Sequence, residues 1–83
     1  MNFAVIFTYS FDSETSVYLF RDEDDAKKFL KDCFAEEIRI DTEENGRTIE
    51  SYIGDDGRYA KLSVYLDDGE VDITEMRIGN IYR

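Results

Sequence analysis

Histidine, proline and tryptophan are absent from this 83-residue chain, and cysteine occurs once. Without an imidazole there is no Ser-His or Cys-His nucleophile pair and no Cys/His zinc site, and a single thiol cannot build a disulfide framework. Bases are scarce as well: ten Lys and Arg stand against twenty Asp and Glu, a formal charge of −10. Neutralising phosphates requires a basic surface, so direct binding of nucleic acid or of an anionic membrane is not expected, whereas a basic protein partner is compatible. Apolar runs of about 18 residues are missing, and Met1-Asn2-Phe3-Ala4 opens with no basic segment, apolar segment or cleavage site of a leader. The expectation is a soluble cytoplasmic protein.

Cofactor and metal motifs are lacking too. Neither GxGxxG nor GxxxxGK[ST] occurs, and the five glycines are dispersed. Asp41-x-Glu43-x-Asn45-Gly46 imitates the first half of a calcium loop, but the twelfth position is Tyr52 where a bidentate glutamate is required. Asp67-Asp68-Gly69-Glu70 with Asp72 reads as a solvated acidic turn. No cofactor and no metal are expected. Cys33 falls on an apolar helix face with no histidine to activate it, which makes it a small buried hydrophobe. Carboxylates abound, but only Glu37, near the middle of that face if the helix continues, would sit in surroundings able to raise its pKa.

What is present suffices for one modest core. Six Phe and six Tyr each bring a large area to bury, and a chain of this length buries roughly 60–65% of its unfolded surface. Residues 1–83 are read as a single small acidic α+β domain. Asn2 to Tyr9 carries apolar side chains on both faces, as an interior strand does. Thr15 to Arg21 returns as a second strand after a polar loop whose register is open. Asp22 is an N-cap candidate, followed by acids that suit the positive end of a helix. Ala26, Phe29, Leu30, Cys33 and Phe34 then share one helical face.

Asn45-Gly46, Asp56-Gly57 and Asp68-Gly69 are hairpin signals, because Asn, Asp and Gly tolerate positive φ. Placing the helix end near Glu36 leaves Ile38 to Ile78 as a four-stranded meander, giving ββαββββ; a helix running to about residue 44 gives ββαβββ. The four-stranded reading is preferred, since all three turns then agree on one inner face. Asp56-Gly57 sets Ile53, Ser51 and Ile49 opposite Ala60, Leu62 and Val64. Asp68-Gly69 sets Leu66 and Val64 opposite Val71 and Ile73, after which a bulge near Thr74-Glu75 is needed to bring Leu62 to Met76 and Ala60 to Ile78. Six strands span roughly 24–29 Å and one helix about 10–12 Å. The sheet therefore either curls around the helix or buries part of a face against a second copy.

On the outer face of the meander, Arg39, Tyr52, Tyr59, Lys61, Tyr65 and Arg77 share parity. Outward tyrosine is a common strand former whose basic neighbours pair across strands, but Tyr and Arg are also the residues enriched at protein interfaces. These six are the candidate protein-binding residues, and the expected role is a non-enzymatic interaction or regulatory module that binds another protein or itself as a homodimer. The alternatives are an acidic mimic of nucleic acid that occupies a basic groove, and an enzyme with an unrecognised carboxylate site.

Overall fold

Phe3, Val5, Phe7 and Tyr9 alternate with Ala4, Ile6 and Thr8, and in the computed structural model, which describes residues 1–81, this run is an interior strand. The elements are β1 (Phe3–Tyr9), β2 (Asp12–Phe20), α1 (Glu23–Arg39), a π-helical turn (Ile40–Glu44), β3 (Thr48–Ile53), β4 (Tyr59–Tyr65) and β5 (Val71–Asn80). All five strands form one antiparallel sheet in the order β2-β1-β5-β4-β3. The architecture is ββαβββ, with the helix packed on one face.

The first hairpin is tighter than its polar loop suggests. β2 starts at Asp12, and Phe3↔Phe20 through Phe7↔Ser16 fix a register that places Tyr18 and Phe20 on the helix side and Val17 and Leu19 on the other. Its turn is tied to β5: the Ser10 amide donates to the Ile73 carbonyl at 2.8 Å and the Ile73 amide donates to Ser10 Oγ at 2.8 Å.

Helix α1 follows its sequence pattern. Asp22 occupies the N-cap through its backbone, with no side-chain capping bond, and Glu23, Asp24 and Asp25 fill the first turn. Ala26, Leu30 and Phe34 are buried against the sheet, flanked by Phe29, Cys33 and Ile38. The core also takes Val5 and Phe7 from β1, Ala60, Leu62 and Val64 from β4, and Met76 and Ile78 from β5.

Beyond Glu36 the preferred expectation is corrected. Residues 38–44 are not a strand: α1 runs on to Arg39 and widens into the π-helical turn, so the meander has three strands. Alternation of Ile38, Ile40 and Thr42 imitated a strand, but the helix satisfies more groups. Ile38 reaches the core, Thr42 Oγ1 donates to the Ile38 carbonyl at 2.7 Å, and Arg39 bridges Glu36 at 2.6 Å and Glu44 at 3.0 Å. Asn45-Gly46 closes the helix instead of a hairpin. The Asn45 amide donates to the Ile40 carbonyl at 3.0 Å, the Arg47 amide to the Asp41 carbonyl at 2.8 Å, and Gly46 has φ +62°. Left-handed backbone is what both a tight hairpin and a helix C-terminus require, so the dipeptide alone cannot tell them apart. A Cβ on Gly46 would meet nothing within 4 Å. Gly46→Ala is therefore expected to destabilise through backbone strain alone, by about 1–2 kcal/mol, read as a lower urea midpoint at unchanged slope.

The β3–β4 register is as expected, with Ile53↔Ala60, Ser51↔Leu62 and Ile49↔Val64. The β4–β5 register is not. Tyr65↔Val71 through Tyr59↔Arg77 run without a break, and no bulge occurs at Thr74-Glu75. The extra residue is absorbed at the hairpin tip, where Leu66 accepts from the Gly69 amide at 3.1 Å, its own amide donates to the Glu70 carbonyl at 2.9 Å, and Gly69 has φ +86°. A glycine there takes up the displacement cheaply, whereas a bulge inside the sheet would break ladder bonds. Leu62 consequently faces Thr74 and Ala60 faces Met76, while Val71 and Ile73 lie on the face away from the helix. The helix lies over β1 and β5 and reaches β2 and β4, and β3 is met by the π-helical turn.

Candidate functional site

Parity along β3, β4 and β5 brings five of the six candidate residues to the open face. Tyr59 stands opposite Arg77, Lys61 opposite Glu75, and Tyr52 opposite Lys61. Tyr65 shares that face at the far end of β4. Arg39 does not belong with them. It lies in the last turn of α1, on the other side of the sheet, bound to Glu36 and Glu44.

Two of the tyrosines are held in place. Tyr59 donates to Glu75 Oε2 at 2.6 Å and Tyr65 donates to Glu50 Oε1 at 2.8 Å, and these bonds are the main reason both phenols titrate above their ordinary value. Tyr52 packs on Tyr59 with ring centroids 6.2 Å apart. Hydrogen-bonded tyrosines are rigid, so little side-chain freedom remains to be lost when something binds them.

The other half of the open face is apolar. Ile6 of β1 pairs with Val17 and Arg77, and Ala4 pairs with Leu19 and Gly79. Val17 and Leu19 are each 53% exposed, on a strand at the edge of the sheet. Sequence reading missed both because the first hairpin's register was undetermined. Their signal was Val17-Tyr18-Leu19-Phe20 itself, which is apolar on both faces and so must leave two side chains on whichever face goes uncovered.

On the helix side, the second half of α1 and the tip of the β1–β2 hairpin enclose a cleft of about 530 Å³. Phe7, Tyr18 and Phe29 form its floor, with Phe29 in ring contact with Tyr18 (4.9 Å between centroids) and Phe7 (6.2 Å). Asp32, Glu36 and Glu37 rim it. Asp32 is bound by Lys28 at 2.7 Å and Glu36 by Arg39, but the Glu37 carboxylate has no ion-pair or hydrogen-bond partner among the described residues. Partial desolvation, then repulsion from Asp41 and Glu36, pushes the Glu37 carboxyl above the usual range. Cys33 also lines the cleft, and burial, with Asp32 and Glu37 nearby, raises its thiol pKa and keeps it a weak nucleophile.

Glu37 binds its proton more tightly in the folded chain than in the unfolded one, so folding stability linked to it is greatest in acid and declines as pH rises through the glutamate range. Glu37→Gln is accordingly expected to raise the melting temperature at pH 7, the gain shrinking to nothing as pH falls below the ordinary glutamate pKa of about 4.3. Thermal melts of both proteins from pH 3 to 8 check this.

Among the described residues, no group of three or more Cys, Asp or Glu side chains is arranged to hold a metal ion, and no helix is long and apolar enough to cross a membrane. No family model, no curated protein and no solved structure matches the chain.

Proposed function

We propose that the protein is a non-enzymatic interaction module that binds another protein, or a second copy of itself, through the open face of its sheet. One observation carries this reading: a single uncovered surface joins exposed Val17 and Leu19 to Tyr52, Tyr59 and Tyr65, two of which are already fixed by hydrogen bonds. Apolar area next to rigid tyrosines and an arginine is the composition of interface anchors.

The experiment is affinity capture of the tagged protein's partner at low and high salt, with sedimentation of the purified protein to detect self-association. Leu19→Lys is expected to change stability by no more than about 0.5 kcal/mol, because the side chain is exposed, and to abolish either the salt-resistant capture or the dimer. Tyr52→Ala is expected to weaken the same association. If the wild type captures nothing and sediments as a monomer, or Leu19→Lys binds unchanged, the open face is not the interface.

A second reading rests on the opposite side of the molecule. Between Glu23 and Glu44 the chain carries nine acids against four bases, a surface suited to a basic groove such as a nucleic-acid-binding protein presents. Capture of a basic protein that is lost at high salt and is indifferent to Leu19→Lys would favour it.

A further inference from the structure

We infer that the cleft between α1 and the β1–β2 hairpin receives a basic polypeptide segment, which pairs along the free edge of β2 and lays a lysine or arginine across the aromatic floor toward Glu37. The cleft lies on the opposite side of the sheet from the open face, and the inference does not depend on that reading, although both use β2.

Charge and shape together define the occupant. A volume of about 530 Å³ lies within the range of clefts that bury a ligand. An aromatic floor beneath three carboxylates suits a group with an apolar body and a cationic head, which is what lysine and arginine side chains are. A cation over the face of Tyr18 or Phe29 is attracted by the ring, and the rim completes its coordination. Asp32 and Glu36 already have bases of their own. Glu37 is the carboxylate left to a visitor, and an incoming cation would relieve the repulsion it now meets from Glu36 and Asp41.

The edge strand favours a polypeptide over a free amine. β2 stands at the end of the sheet order, and among the described residues its outer side has no strand partner. From Ser16 to Phe20 it carries no charge and no proline, and the irregularity in its pairing with β1 lies before that stretch, between Asp12 and Ser16, so this part of the edge is open to pairing. An added strand would alternate its side chains between the two faces. Those on the helix side would lie beside Tyr18, which is both a β2 residue and part of the cleft floor.

The test uses the isotope-labelled full chain and a seven-residue peptide of alternating valine and lysine. Binding is expected to move the amides of Thr15–Phe20 together with the signals of Phe29 and Glu37. Glu37→Gln is expected to weaken it about tenfold or more, the scale of a lost charge-assisted contact, while the variant stays folded. Asp24→Asn removes the same charge at the other end of the helix and is expected to change affinity less than about twofold, because exposed charges are screened beyond about 10 Å at ordinary salt. Equal losses from the two variants would mean attraction by net charge alone and would overturn the assignment. It fails as well if a valine–glutamate peptide binds equally, or if spermidine moves the cleft signals while the lysine peptide leaves the β2 amides unmoved.

Discussion

Leu30→Ala is expected to remove about 2–5 kcal/mol of stability and to lower the melting temperature by at least about 10 °C. Leu30 is fully buried at the middle of the helix's apolar face, in one cluster with Val5, Leu62 and Met76, each of them at most 1% exposed. Truncating it removes the transfer energy of the lost carbons and leaves a cavity, because a single helix held over a rigid sheet can settle only partly into the gap. A chain of this size has roughly 4–12 kcal/mol in total, so the variant sits close to its folding threshold. Urea unfolding followed by far-ultraviolet circular dichroism should show the midpoint collapse. A loss under 1 kcal/mol would mean that the helix does not seat on the sheet as described.

Ala26→Leu tests the same core from the other direction. Ala26 and Ala60 are completely buried, one on the helix and one on β4, and both belong to the central cluster. Residues this small let the helix approach the sheet closely, and three more carbons at position 26 have no free volume to enter. Overpacking of this kind costs typically about 1–3 kcal/mol, despite leucine being as good a helix former as the core could ask. The position is also near an anchor: Glu23, one turn earlier, is bound by Arg58, which in turn donates to Asn80 Oδ1 at 2.9 Å. Tilting the helix to admit the larger side chain would strain that link between α1, the β3–β4 loop and β5. Melts of Ala26→Leu beside Ala26→Ser separate overpacking from simple loss of helix propensity, and only the leucine variant is expected to expose apolar surface to a dye such as ANS.

The cleft and the open face lie on opposite sides of the sheet but share β2: a segment paired along its edge would also set alternate side chains beside Val17 and Leu19 on the open face. Leu19→Lys, on that shared strand, is therefore expected to disturb both associations, whereas Glu37→Gln is expected to weaken only the one in the cleft.

Local chemistry made much of this protein readable from its residues. Ala26, Leu30 and Phe34 recur at helical spacing and are the buried face of α1. Phe3, Val5 and Phe7 alternate and line the helix side of β1. The β3–β4 pairing followed from Asp56-Gly57 and the apolar residues flanking it. Five of the six candidate surface residues shared a face because strand parity is a property of the chain itself.

Tertiary structure decided the rest, wherever one local signal served two conformations. Asn45-Gly46 supplies left-handed backbone to a helix end as readily as to a hairpin, and the helix prevailed because continuing it brings Ile38 to the core and gives Arg39 two carboxylates. That choice moved Arg39 off the sheet face. At Gly69, alternation of Val71 and Ile73 pointed inward, but a three-residue loop preserved an unbroken ladder and turned them out. Pairing of β1 with β5 has no local signature, and the choice of which face of Val17-Tyr18-Leu19-Phe20 stays uncovered, or whether Glu37 stays on the helix, has none that decides it. These are settled only when residues far apart in the chain compete for one small core.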